Sequence, residues 1–357
     1  MVSQRISMFN NNNIMRFAPL TIVGLASCLA LYATFRQPQP FTSLYSNMSQ
    51  EERHFLSFIA RHGKDYATKD EYSFRLEQFK SALAFVSANS ARNDVTYTVG
   101  LNRFADLTRE EYRGMMGLRR PASGKRNFQV LDSEGVPAAI DWRSVGAVTS
   151  IKEQGQCGSC WAFTAIASLE QSYFVASNGT LLTLSAQQLM DCSGEFGNQA
   201  CNGGWMDQAF EYAKTNALET EEDYPYTAES YANCTLTEGL GRVLVTSYVD
   251  VAPNDPDQLK AAVAIGVVSG AMAADSQVFQ FYTGGIVNDE SCGSQVNHSA
   301  AIVGYGNEDG QEYWIFKNSW GPAWGDNGYI RISNSGVKDS GICGVNSINS
   351  YVYTKTA

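Results

Sequence analysis

The chain has 357 residues, room for two or three domains. Its 44% apolar and 17% charged content is that of a globular protein and excludes a disordered one. A formal charge of −10 argues against nucleic acid as a partner. That charge is unevenly spread: residues 36–135 hold 15 Lys/Arg and 12 Asp/Glu, whereas residues 136–357 hold 9 and 24. A mildly basic segment before an acidic body fits an intramolecular partner, or simply two solvated surfaces.

The first feature in chain order is Phe17–Phe35, almost free of polar residues between Arg16 and Arg36. Its apolar core, Leu20–Ala33, fits a secretory signal peptide better than an uncleaved signal anchor, and initiation at Met15 would make it more ordinary still. Either reading of residues 1–35 directs the chain into the secretory pathway, where disulfides persist. Apolar positions at Phe55, Phe58 and Ile59 predict a short helix over 51–62, and Tyr72, Leu76, Phe79, Leu83 and Val86 a longer one over 69–90. Tyr97–Leu101 reads as a strand. Thr108-x-x-Glu111 has the form of a capping box opening a helix through Met116. Residues 117–135, rich in Gly, Arg, Lys, Ser and Pro, read as an exposed linker.

A domain over 136–357 follows. Its first part, about 136–247, reads as helical, with helices expected over Cys160–Tyr173, Leu184–Met190 and Met206–Lys214. Its second part, about 248–357, reads as strands, including His298–Tyr305, Glu312–Lys317 and Gly328–Ser333. Helices followed by strands give an α+β class.

The chemistry gathers around Gln154-Gly-Gln-Cys157-Gly-Ser-Cys160-Trp161. A cysteine opening a helix, with an amide side chain just upstream, is an arrangement for activating a thiolate and holding an oxyanion. Such a nucleophile needs a base and an orienting group for that base. His298 is the only histidine in 136–357, in Asn297-His298-Ser-Ala-Ala, and Trp314-Ile-Phe-Lys-Asn318-Ser-Trp320-Gly follows. Asn318 could accept from the imidazole, and Trp320 could shield that bond from water. Seven cysteines lie beyond the apolar segment, an odd number that leaves at least one thiol unpaired in a monomer. A redox pair or half a zinc site at Cys157-x-x-Cys160 is the competing reading, but no second closely spaced ligand pair is evident. No metal or other cofactor is implied.

These motifs resemble the papain/cathepsin cysteine peptidases, closely their cathepsin L-like branch, over about residues 51–357. The resemblance implies a papain-like two-lobed fold, with a helical lobe, a β-barrel-like lobe and a catalytic cleft between them, preceded by a helical propeptide. By it, Cys160 is the nucleophile, His298 the general acid/base and Asn318 the orienter, while Gln154 and the Cys160 amide form the oxyanion hole. It implies disulfides Cys157–Cys201, Cys192–Cys234 and Cys292–Cys343, leaving Cys160 free. Residues 36–135 resemble the family's inhibitory propeptide. Gly100-x-Asn102-x-Phe104-x-Asp106 matches one motif in full. Glu71, Arg75 and Phe79 match a second, from which Ala82, Val86 and Ser90 depart.

Gly203 and Gly204 would offer backbone to an extended substrate. Met206, Ala271, Val296 and Ile348 would wall an apolar pocket for the residue two before the scissile bond. Nearby, Gly266-Val267 stands where the family often has Gly-Pro. No second histidine is present for the occluding loop of dipeptide-releasing relatives, which favours an endopeptidase over an exopeptidase. A non-catalytic papain-fold peptide-binding or storage protein is the rival from another class, and such proteins usually lose the nucleophile or the histidine. The expected setting is a monomeric zymogen acting on proteins or peptides, secreted or in a lysosome or digestive vacuole, and open to cystatin-type inhibitors. Glycosylation sequons stand at Asn47, Asn178, Asn233 and Asn297, of which Asn178 is the best candidate.

Overall fold

The computed structural model describes residues 48–121, 126–230, 233–334 and 339–357. The apolar segment 17–35 and the sequon at Asn47 lie outside them. Among the described residues no helix is long and apolar enough to cross a membrane. Two compact units divide the chain, 1–57 and 58–357.

Helix α1 is Gln50–His62 and α2 is Lys69–Ser90, whose N-cap Thr68 accepts from the Glu71 amide. Strand β1, Tyr97–Val99, and helix α3, Arg109–Arg113, follow. The capping box on α3 is complete, with Thr108 and Glu111 each taking the other's backbone N–H. The helix stops at Arg113, earlier than the expected Met116, because the chain then turns into backbone contacts with the body.

After β2 (Ile140–Asp141), helix α4 (Cys160–Ala176) carries a mostly buried sequence. It is the axis of a core that gathers Trp161, Ile166, Leu169, Leu189, Phe210 and Leu218. Helices α5 (Ala186–Cys192) and α6 (Met206–Thr215) complete this lobe. Strand β3 (Val243–Asp250), helix α7 (Pro256–Ile265), β4 (Val268–Met272), helix α8 (Gln277–Phe281) and β5 (Tyr282–Val287) follow. Strands β6 (His298–Glu308), β7 (Gln311–Lys317), β8 (Tyr329–Ser333) and β9 (Asn349–Thr356) complete the second lobe.

The sheet runs β1-β5-β8-β7-β6-β4-β9-β3, with β2 added to β6. This corrects the expected β-barrel-like lobe: the class is α+β and two-lobed, but the sheet is open. Closure requires the end strands to hydrogen-bond each other. Here the outer edge of β5 is taken by β1, contributed from upstream of residue 136. At the opposite end, among the described residues, the edge of β3 away from β9 meets isolated bridges, Leu218 to Val243 and Phe128 to Asp250, with Phe210 of α6 against Tyr248. At the Gly266-Val267 departure, the Val267 amide donates to Gln171 Oε1 at 2.9 Å, a bond a proline could not make.

Candidate active site

Cys160 is the first residue of α4 and fully buried. The turn before it is pinned by the Cys157–Cys201 disulfide and by the Gly158 amide, which donates to the Cys201 carbonyl at 3.0 Å. The structure also bonds Cys192 to Cys234 and Cys292 to Cys343, and leaves Cys160 free.

His298 opens β6 and Asn318 follows β7, so antiparallel pairing of these strands places both at one end of the sheet. His298 Nε2 lies 2.9 Å from Asn318 Oδ1, which also accepts from the Ser319 amide. An amide oxygen only accepts, so Nε2 carries the proton there. Nδ1 makes no other hydrogen bond and is the nitrogen left for the thiol. Burial pushes the Cys160 thiol up. The charge of His298 and hydrogen bonds from His298 and Ser299 outweigh that and bring it from 9.0 to about 7. The Trp320 ring sits 4.8 Å from the imidazole and seals the His298–Asn318 pair.

Gln154 is completely buried. Its Oε1 accepts from Ser319 Oγ at 2.6 Å, which aims Nε2 the other way. Nε2 donates to the Cys157 carbonyl and, at 2.9 Å, to the Met115 carbonyl. A peptide carbonyl of the upstream segment thus occupies the amide donor beside Cys160.

From there the segment crosses the site. Gly204 donates to the Gly117 carbonyl at 2.9 Å, and the Arg119 amide donates to the Gly204 carbonyl at 3.0 Å. The two strands are parallel at Leu118 and Gly204. Gly203 takes no part in this ladder. Both of its backbone groups are used inside the body's own turn, at φ 110°. Leu118 packs against a cluster of Trp205, Ala271 and Ile348, with Val296 beside it. Met206 belongs to the adjoining helical core, which Leu118 also touches. Residues 117–119, expected in an exposed linker, are therefore held in the site.

Sequence reasoning missed Ser319, Ser299 and Trp205. The first two adjoin Asn318 and His298, and that adjacency was the available signal. Tyr226, which donates to the Gln154 carbonyl at 2.7 Å, carried no local signal.

Residues 136–353 match the family described as papain family cysteine protease, and residues 55–112 match the cathepsin propeptide inhibitor domain (I29). The chain is 40% identical over 319 residues to the probable cysteine protease RD21C of Arabidopsis thaliana, covering 87% of this chain and 70% of the relative. It is 41% identical over 311 residues to the cysteine protease XCP2 of the same plant, covering 85% and 86%. Among solved structures it is similar to the digestive procathepsin L 3 of Tenebrio molitor larval midgut, with TM-score 0.76 and 34% identity over 86% of this chain and 100% of that one. The recombinant stem bromelain precursor gives TM-score 0.77 and 34% identity, covering 85% and 99%.

Proposed function

Because the chain belongs to the papain family and is a cathepsin L-like cysteine endopeptidase made as a zymogen, we propose that Cys160, His298, Asn318 and Gln154 are its catalytic residues. The Cys160 thiolate attacks the scissile carbonyl, forming a C–S bond and an oxyanion. Gln154 Nε2 and the Cys160 amide hold that oxyanion. The His298 imidazolium then gives its proton to the leaving amine as the C–N bond breaks, leaving a thioester. His298 takes a proton from water, and the resulting hydroxide attacks the thioester carbonyl, breaking the C–S bond to release the acid and restore the thiolate–imidazolium pair. Asn318 keeps the imidazole oriented throughout. The observation that carries this reading is the Met115 carbonyl on Gln154 Nε2, a peptide carbonyl resting on the donor proposed for the oxyanion.

The substrate would pair its backbone with Gly204 and place a bulky apolar side chain two before the scissile bond. Leu118 supports that preference, since a side chain of this kind already fills the pocket of Ala271, Val296, Ile348 and Trp205. Each buried methylene there is worth about 0.8 kcal/mol.

Residues 1–35 are read as a signal peptide, 36–135 as the inhibitory propeptide and 136–357 as the peptidase, released by cleavage near 130–136. Three disulfides support passage through the secretory pathway, to a lysosome, a digestive vacuole or the outside. The enzyme is proposed to act as a monomer, to be held by cystatin-type inhibitors and to be glycosylated at Asn178, exposed in a left-handed turn.

The test is activity of residues 36–357, acidified in reducing buffer, on a fluorogenic Phe-Arg peptide. Wild-type activity blocked by a thiol-directed epoxide and lost in Cys160→Ser is the expected result. Activity surviving in processed Cys160→Ser would remove the nucleophile assignment.

A further inference from the structure

Downstream of the cleft the linker is seated a second time, on residues the reaction does not use. Asp250, at the end of β3, is 1% exposed. Its Oδ1 accepts from Arg126 Nε at 3.1 Å and its Oδ2 from the Asn127 amide at 2.6 Å. Its own amide donates to the Asn127 carbonyl at 2.9 Å. Asn127 Nδ2 reaches the Tyr248 carbonyl, and Phe128 bridges Asp250 in parallel register. The Arg126 guanidinium stacks 5.0 Å from the Phe128 ring, and its Nη2 is buried without a hydrogen-bond partner. A second, half-buried carboxylate, Asp207, stands within the electrostatic reach of both Arg126 and Asp250. It is held by Trp205 Nε1 at 2.9 Å and Ser350 Oγ at 2.8 Å.

Every acceptor and donor in this slot, apart from the arginine and the strand that carries it, belongs to the body and stays when the linker leaves. A strand-edge backbone pair beside a carboxylate shaped for a guanidinium is a way of holding an extended peptide. The slot also adjoins the apolar pocket through Trp205, whose ring lines the pocket and whose indole nitrogen holds Asp207. We propose that in the processed enzyme the Asp250–Asp207 slot is an exosite that binds an arginine-bearing extended segment of a protein substrate, outside the catalytic cleft. This rests on the reading that cleavage near 130–136 removes residues 126–128.

The charged and titratable groups around the slot are Asp207, Asp250 and Tyr248, with Glu211 and Lys214 beside Tyr248. Burial, and then the charge of Asp250, push Asp207 up to about 6, while its hydrogen bonds and Arg126 pull the other way. A guanidinium binds the ionised pair better, so affinity falls as pH drops through about 6.

The experiment uses zymogen carrying Cys160→Ser, processed in trans by active enzyme, with the loss of 126–128 verified by intact mass. The probe is a labelled peptide copying residues 126–131, Arg-Asn-Phe-Gln-Val-Leu, followed by fluorescence anisotropy at pH 7 and pH 5. Expected is saturable binding to processed protein and none to intact zymogen, whose slot is filled. Replacing the peptide's arginine by alanine should weaken binding about tenfold or more, as should Asp250→Asn. A longer cleavable peptide with arginine upstream of the cleft residues should show a lower KM than its alanine counterpart at unchanged kcat, and Asp250→Asn should erase the difference. Equal binding of arginine and alanine peptides by processed protein overturns the exosite, and so does no binding. The peptide substitution decides the matter even where Asp250→Asn fails to fold. Retention of 126–128 in active enzyme, seen by mass alone, overturns the underlying processing instead.

Discussion

Residues 96–113 and residues 115–131 belong to one segment on one body, and they are held by different physics. The upstream stretch is anchored by a sheet and by rings. Strand β1 pairs with β5, Asn102 Nδ2 donates to the Gln280 carbonyl while Gln280 Nε2 donates to the Phe104 carbonyl, and Phe104 and Tyr112 each stand edge-on at 5.6 Å from Trp320. Its flank carries Arg92 on Asp289. Burial raises that carboxyl, but bonds from Ser291, Arg92 and Tyr97 hold it down at about 2. The downstream stretch has almost no buried rings. It relies on backbone bonds at Gly204, on Leu118, and on a guanidinium facing the buried Asp250 and the half-buried Asp207, whose carboxyl is pushed up to about 6 by its desolvation and by Asp250. At pH 5 Asp289 stays ionised and the rings are indifferent, while Asp207 is neutralised. Acid should therefore loosen the linker proposed to be cut and leave the inhibitory globule docked. The Trp320 ring that covers the His298–Asn318 pair is also the upstream anchor, so docking and masking of that pair are one contact.

The largest expected effect breaks the upstream anchor. Phe104→Ala removes a fully buried ring, a change that costs about 3–5 kcal/mol in a packed core. Activity of unprocessed chain at pH 7, where the wild type is latent, should rise by roughly two orders of magnitude or more. Unchanged latency would mean that the backbone contacts downstream suffice. Next comes Gly117, whose added Cβ would overlap the Gly158 carbonyl two residues before Cys160. Gly117→Ala must push the segment off the thiol, at about 1–3 kcal/mol. Alkylation of Cys160 in intact zymogen should then speed up about tenfold or more, with the upstream globule still docked.

This division was only half legible in the sequence. The proposed catalytic trio could be picked out because residues 136–357 offer a single histidine and each partner lies in a distinctive local run. The upstream anchor could be read for the same reason, since Asn102, Phe104 and Asp106 sit in one short motif and Thr108 and Glu111 in another. The open sheet could not, because closure depends on which edges are already occupied, and the strand occupying β5 comes from nearly 200 residues upstream. Strand β4, buried along its whole length, shows no alternation to give it away. The downstream latch joins residues 124 apart. Its one local trace is a carboxylate ending the apolar run Tyr248-Val249-Asp250-Val251, where a buried charge demands a partner the sequence does not name.

A smaller effect sharpens the comparison through pH. In the docked chain Asp207 is raised from 3.8 to about 6, so ionising it is a cost to the fold that shrinks as pH falls from about 6 toward 3.8. For linker docking the sign is opposite. Arg126 is among the influences that lower this pKa, so docking favours the ionised form and weakens as pH falls to about 6, above the window in which the folding cost changes. Asp289 is depressed, so its contribution is present above 3.8 and is lost only as pH falls toward 2. Hydrogen-exchange protection factors of Cys160→Ser zymogen should thus fall at Asn127 and Asp250 between pH 7 and pH 5, and hold at Gly100 and Ile286. Equal losses at both places would show that one cooperative release, and not two anchors, governs activation.

The smallest effect tests whether surface charge contributes to the upstream anchor at all. Arg103 meets Glu153 at 2.5 Å, but both side chains are more than a third exposed or nearly so, at 34% and 41%. Such pairs are worth about 0–1 kcal/mol. The Arg103 guanidinium also donates to the Trp320 carbonyl at 3.1 Å and stacks 4.7 Å from the Phe104 ring, contacts a lysine could not reproduce together. Glu153→Gln should leave neutral-pH latency within about threefold of wild type, because it removes only the screened pair. Arg103→Lys should loosen it further, because the planar contacts with Phe104 and Trp320 go with it. If Glu153→Gln proved the more damaging, charge rather than ring packing would be holding the upstream globule, and the contrast between the two stretches would collapse into one acid-sensitive surface.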